Sequence, residues 1–274
     1  MHKRILIALD LEGVNNVVGE PYSGLKIGSA EWEKARRQAA FEINEAADAL
    51  FTAGAKRVAV WDNHGDGPNL DPADIDTRVE LLAIDKTMPR MYFAGEFDCV
   101  CYFGYHAMEG TLGGVLAHTM NSTMVQHYKL DGEYIGEVDM DSYIAASHGV
   151  PSCLFVGGDI ACSQAAVAVP GIVTVVTKKE LSRNKAIFRD NSELACEIRE
   201  RIAEAVKSTV EMPKLKLPAT FEKSFKRTED AAWWLSHLQA LGIEAWHPCE
   251  KILGKDAHTV VSKIYTIDDF IKCI

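Results

Sequence analysis

Asp10-Leu11-Glu12 places two carboxylates two residues apart, directly after the apolar run Ile5-Leu6-Ile7-Ala8-Leu9. In an extended segment residues i and i+2 face the same side, so both acids leave the end of a strand together. Two anions held that close need a compensating cation. The pattern recurs with histidine: Val58-Ala59-Val60-Trp61 runs into Asp62-Asn63-His64, and Cys99-Val100-Cys101-Tyr102-Phe103 runs into Gly104-Tyr105-His106. Glu137, behind Gly136 and ahead of a helix, offers a further carboxylate. Oxygen and imidazole donors without cysteine suit Zn²⁺, and also Mn²⁺, Co²⁺ or Fe²⁺. Five such ligands with one shared carboxylate suffice for two ions about 3.5–4 Å apart, the arrangement of two-metal hydrolases. His118, in the small-residue loop Gly113-Gly114-Val115-Leu116-Ala117-His118-Thr119-Met120, is a candidate acid, base or nucleophile, or one more ligand. Taken singly, each position has a plainer reading: a solvated acidic rim, a helix cap, a core histidine. Their recurrence at successive strand ends favours the metal reading.

The elements that must carry these groups follow from pattern. Apolar runs bounded by charge read as buried parallel strands, and open α/β sheets place ligands beyond the carboxyl ends of their strands. Residues 29–52 read as a helix with Ser29 as its cap, Gly54 as its stop, and Ala39, Ile43, Ala46 and Leu50 on the sheet-facing stripe. Strand, loop, helix and strand make a right-handed βαβ unit. A short strand is expected at 81–84, a hairpin over 124–134 turning at Asp131-Gly132, a helix over 138–148, strands at 153–156 and 172–176 with a helix between them, and a charged amphipathic helix over 191–210. Residues 212–218 read as a linker or edge strand, followed by a strand, a helix, a second strand and a terminal helix. The expected fold is α/β, a mostly parallel sheet flanked by helices with a smaller α+β unit. The division is a metal-binding domain over 1–211 and a subdomain over 212–274.

A hydrophobic fraction of 47% over 274 residues supports a substantial core, and a net charge of -10 disfavours nucleic acid as a partner. No apolar run approaches the ~20 residues of a membrane span, and the stretch before Asp10 is too short for a signal peptide. Seven cysteines without a CxxC pair read as reduced, mostly buried residues of a cytoplasmic protein.

Two further features have competing readings. Gly157-Gly158-Asp159 lacks the remainder of a phosphate-loop signature and reads as a tight strand-to-helix turn with Asp159 as cap. Lys178 and Arg183, around Ser182, are candidates to meet an anionic substrate group or to form salt bridges. A phosphate-binding protein built on these glycines and basic residues is one rival to the metallohydrolase. A metal-dependent binding protein without catalysis is another.

Taken together, Asp10-Leu11-Glu12-Gly13, Asp62-Asn63-His64, Gly104-Tyr105-His106-Ala107, Ala117-His118-Thr119-Met120 and Gly136-Glu137 resemble the DppA-type D-aminopeptidases, the M55 class of zinc metallopeptidases. The resemblance covers most of residues 4–185, including the segment around Lys178 and Ser182-Arg183. From about 212 onward it is one of length and loose pattern. It implies a binuclear zinc aminopeptidase, with Mn²⁺ or Co²⁺ as alternatives, acting on short peptides with an amino-terminal D-residue. Asp10, Glu12, His64, His106 and Glu137 would be the ligands, Asp10 bridging, and His118 the catalytic histidine. It also implies a homo-oligomer, a ring in the family. The segment between His106 and His118 is about a residue longer than the family pattern and the loop over 14–28 is its own, so another amidated small molecule is an alternative substrate.

Overall fold

The computed structural model describes residues 2–65, 67–85, 87–248 and 257–274. The apolar runs become strands β1 (Arg4–Leu9), β2 (Arg57–Asp62), β3 (Glu80–Leu81) and β4 (Cys99–Tyr105), with α1 (Ala30–Thr52) crossing from β1 to β2. The hairpin β5 (Val125–Leu130) and β6 (Glu133–Ile135) leads into α2 (Glu137–Ser147), β7 (Ser152–Gly157), α3 (Asp159–Ala168) and β8 (Val173–Val176). A small ribbon, β9 (Lys178–Ser182) and β10 (Lys185–Phe188), precedes α4 (Asn191–Ala205). The chain ends with β11 (Ala219–Phe225), α5 (Thr228–Ala240), β12 (Ala245–Trp246), β13 (Thr259–Ile264) and α6 (Ile267–Cys273).

The main sheet has the order β3-β2-β1-β4-β7-β8, and every pairing in it is parallel. The chain builds outward from β1 to β2 and β3, then returns to place β4 on the other side of β1. That reversal makes the β1/β4 junction the topological switch point, where such sheets bind ligands. β4 and β7 are buried along their whole length, as unbroken apolar runs require when helices cover both faces.

The helices explain the two cores. Ser29 caps α1 by accepting the Trp32 amide at 3.1 Å, and the positive φ of Gly54 lets the chain turn away after it. The stripe Ala39, Ile43, Ala46 and Leu50 packs with Leu194, Ile198 and Ile202 of α4 against Ile5, Ile7 and Leu9. Each such buried Ile or Leu contributes about 1.5–3 kcal/mol. The other face, through Leu6, Ala8, Val100 and Tyr102, covers Met140 and Ile144 of α2 and Ala161 and Ala165 of α3.

That second core continues into Val125, Tyr128, Phe221, Phe225, Ile264 and Phe270. All but Phe270, which lies on α6, belong to a separate antiparallel sheet, β12-β13-β11-β5-β6. The expected hairpin is present, with Asp131 and Gly132 both at positive φ as a two-residue primed turn requires. Its first strand pairs with β11, so this sheet takes strands from both sides of residue 212. Residues 212–216 take no regular structure. Two expected elements come out shorter. The strand at 81–84 is only Glu80–Leu81, continued by one bond from the Leu82 amide to the Val60 carbonyl, and α4 stops at Ala205 rather than 210. Among the described residues no helix is long and apolar enough to cross a membrane.

Candidate metal centre

Three strand ends and one helix start converge at the switch point. The backbone there is knitted tightly: the Asp10 amide donates to the Phe103 carbonyl at 2.8 Å, the Gly13 amide to the Gly104 carbonyl at 2.6 Å, and the Asn63 amide to the Leu9 carbonyl at 2.8 Å. Glycine makes this approach possible. A Cβ on Gly104, whose φ is +70°, would lie 1.9 Å from the Asp10 carbonyl oxygen, and one on Gly13 would lie 2.0 Å from the Tyr105 carbonyl oxygen.

The side chains then meet in one cluster. His64 Nδ1 lies 2.9 Å from Asp10 Oδ1 and 3.0 Å from Glu12 Oε2. His106 Nε2 lies 3.3 Å from Asp10 Oδ2 and 3.4 Å from Glu137 Oε1. Asp10 thus turns one oxygen to each histidine. Burial disfavours charge on His64, but Glu12 and Asp10 outweigh it and push its pKa up to about 11. Burial likewise opposes ionisation of Asp10, yet His106 and His64 hold it well below the usual carboxylate range. These opposed pulls mark a site whose imidazoles and carboxylates have a cation as natural partner.

His106 supplies the most direct test of fit. Its Nδ1 donates to the Ala107 carbonyl at 2.9 Å, which fixes the tautomer and leaves Nε2 as a lone-pair donor aimed at Asp10 and Glu137. That Nε2 is buried and finds no hydrogen-bond partner among the described residues. Burial disfavours charge on His106, but Asp10 and Glu137 hold its pKa well above the usual imidazole range, so the position between Nε2 and the two carboxylates calls for a cation, a proton or a metal ion. Asp10, Glu12 and His106, and separately His106, His118 and Glu137, each bring their ligand atoms within 4.8 Å of one another. The donor set fits zinc.

The remaining expected positions are placed as follows. His118 stacks on His106, with ring centroids 4.0 Å apart and planes at 12°. Its Nδ1 donates to the Leu116 carbonyl at 2.9 Å. Leu116 and Met120 on either side have positive φ, a conformation unfavourable for non-glycine residues that the surroundings must hold in place. Arg183 does much of that holding: its carbonyl accepts the Leu116 amide and its guanidinium donates to the Ala117 carbonyl at 2.7 Å. Arg183 also lines the pocket, so it supports the His118 loop from the cavity wall. The Met120 amide donates to Glu137 Oε1 at 2.7 Å and orients that candidate ligand.

The expectation that Lys178 meets a substrate anion gives way to a different role. Lys178 is fully buried, and its ammonium donates to the carbonyls of Glu12, Val14 and Val17 at 2.6, 2.9 and 2.7 Å. Burial pulls its pKa down to about 8 against the pull of Glu180, Glu42 and Glu12. It clamps the loop that follows the Asp10-Leu11-Glu12 motif. The phosphate-loop alternative fails on geometry. The Glu180 carboxylate accepts the amides of Val115 and Ile160 at 2.6 and 3.0 Å, and a Cβ on Gly158 would lie 2.4 Å from it. An acid already occupies the start of α3. The cap on that helix is therefore Glu180, while Asp159 accepts the Glu180 amide. Asp62 likewise stays out of the cluster and binds the amides of Asn69 and Leu70, holding the loop that carries His64.

A network beneath the site was not expected. Arg90 pairs with the buried Asp141 of α2 through Nε and a second bond at 2.9 Å, and donates to Asn63 Oδ1 at 3.0 Å; the Tyr105 hydroxyl donates to Asp141 at 2.7 Å. It ties together the residues next to His64 and His106 and the helix of Glu137. Its one sequence signal is that Asp141 lies four residues after Glu137, on the same helical face. The site opens into a cavity of about 540 Å³ walled by Glu20, Tyr22, Lys26, His118, Asn121 and Arg183.

A family model described as D-aminopeptidase, of the M55 peptidases, matches residues 3–242. The D-aminopeptidase of Bacillus subtilis (strain 168) is 26% identical over 184 residues, 66% of this chain and 65% of that protein, just under two thirds of its length. The solved structure titled Zn-dependent D-aminopeptidase DppA from Bacillus subtilis, a self-compartmentalizing protease, superposes with a TM-score of 0.84 at 21% identity. It covers 98% of this chain and 94% of that one, a likeness of fold.

Proposed function

This chain belongs to the D-aminopeptidase family, and from that premise we propose that it is a zinc-dependent aminopeptidase that hydrolyses the first peptide bond of short peptides with an amino-terminal D-residue. The carrying observation is the division of Asp10, one carboxylate oxygen toward His64 and the other toward His106, whose Nε2 is otherwise unpartnered. Asp10, Glu12 and His64 would hold one Zn²⁺, and Asp10, His106 and Glu137 a second. When bound, such ions supply Lewis acidity that activates water and polarises a carbonyl.

The chain's own groups do the rest. With Nδ1 of His118 committed to the Leu116 carbonyl, Nε2 is the atom that takes or gives a proton over the cluster. Arg183 and the Ala107 carbonyl hold the loop that places it. Lys178 and Thr177 fix the backbone after Glu12, and Arg90 with Asp141 fixes Asn63 beside His64. The cavity of about 540 Å³ lies within the range of small-ligand sites and suits the end of a short peptide.

The test is turnover of paired D- and L-aminoacyl p-nitroanilides before and after chelation. Turnover favouring the D substrate, abolished by chelator and restored by Zn²⁺, is expected. Chelator-resistant or L-selective turnover would contradict the reading. We also propose a homo-oligomer, in line with the self-compartmentalizing Bacillus protein. Sedimentation at the 30.2 kDa of one chain would contradict that part alone.

A further inference from the structure

The same strands that deliver acids and histidines at their carboxyl ends gather sulfur at their amino ends. Cys99 opens β4 and Cys153 is the second residue of β7, its neighbour in the sheet, while His2 lies just ahead of β1. Their ligand atoms, two Sγ and one imidazole nitrogen, all lie within 4.8 Å of one another. His2 Nε2 is 3.7 Å from Cys153 Sγ, and the His2 amide donates to the Val206 carbonyl, which anchors the segment. Both cysteines are fully buried and reduced. The seven residues of β4 span about 20 Å, so this cluster is remote from the candidate centre.

We propose that His2, Cys99 and Cys153 form a second metal site, for one thiophilic divalent cation of the zinc class. Two thiolates and an imidazole are the donors such an ion prefers over the hard Mg²⁺ or Ca²⁺. Binding converts the two thiols to thiolates and releases two protons, while neutral His2 contributes Nε2. The ion would pin the segment ahead of β1 to β4 and β7, closing the sheet's lower edge.

The probe is Co²⁺, titrated into chelated protein carrying Cys196→Ser and Cys249→Ser, so that thiols elsewhere contribute less. The candidate centre holds no cysteine, so a near-ultraviolet thiolate-to-cobalt band reports the second site alone. The band should reach the intensity of one thiolate-bound Co²⁺ per chain by about three equivalents, since the candidate centre takes two, and Zn²⁺ should displace it. Cys99→Ser or Cys153→Ser should abolish it. His2→Gln, on a partly exposed side chain that the fold tolerates, should weaken binding at least ~10-fold, the lower end of what even an outer-shell partner contributes. Absence of the band in the parent chain, its survival in either cysteine variant, or unchanged affinity in His2→Gln would overturn the proposal.

Discussion

His118 and Glu42 show how a single side chain can be tested apart from its neighbours. His118 touches the cluster by stacking on His106 while its Nδ1 is held by a backbone carbonyl. His118→Ala is expected to keep the metal and lose at least ~10²-fold in hydrolysis, the scale of lost acid–base catalysis. Unchanged turnover, read beside metal content, would assign that role elsewhere. Glu42 is fully buried on α1, where it accepts the Asn15 amide and the Gln38 side chain and leaves its second oxygen without a partner among the described residues. Burial raises its pKa to about 7 against those hydrogen bonds. A carboxyl with a folded pKa above its unfolded value stays protonated in the folded chain while the unfolded chain ionises. Wild-type stability from this group therefore falls as pH rises from about 4.5 through about 7. The gap between those two values is worth about 3 kcal/mol. Glu42→Gln should match wild type near pH 5 and exceed it by up to about that amount at pH 8, read by urea unfolding at both values. A difference independent of pH would contradict the assignment.

At the scale of elements, the site depends on how closely β1 and β4 approach. Gly104→Ala puts a Cβ against the Asp10 carbonyl at a positive φ. It should cost at least about 2 kcal/mol and lower zinc affinity, measured by unfolding and by chelator competition; a native-like variant would show that the strand ends can separate. The strands themselves were legible in the sequence, because apolar runs ending in acids or histidines mark buried parallel strands, whereas Gly13 and Gly104 reveal their purpose only once β1 and β4 are paired. The positions of the candidate ligands at the strand ends and the hairpin at Asp131-Gly132 were readable for the same local reasons. The supports were not. Lys178 looked like an anion contact because its three carbonyl partners lie more than 160 residues earlier. Glu180 was silent because a helix cap is normally sought beside the helix, and this one arrives from a later strand. Arg90 and Asp141 are 51 residues apart, and only the fold brings them under the site.

The whole molecule gathers its candidate site at the carboxyl ends of the central strands of a six-stranded sheet and shares one of its two cores with a second sheet. Strands from 125–135 and from 219 onward build that second sheet together, which a linear reading of the stretch after 212 could not anticipate. The shared core braces α2, and α2 carries Glu137 and Asp141. Distant packing thereby reaches the ligand set. Metal count tests the candidate centre most directly, taken on the Cys153→Ser chain so that the thiol cluster does not contribute. Two Zn²⁺ per chain are predicted, falling to at most one in Asp10→Ala, which removes the shared carboxylate. A chain that binds no Zn²⁺ after reconstitution, or that keeps both ions without Asp10, would contradict it.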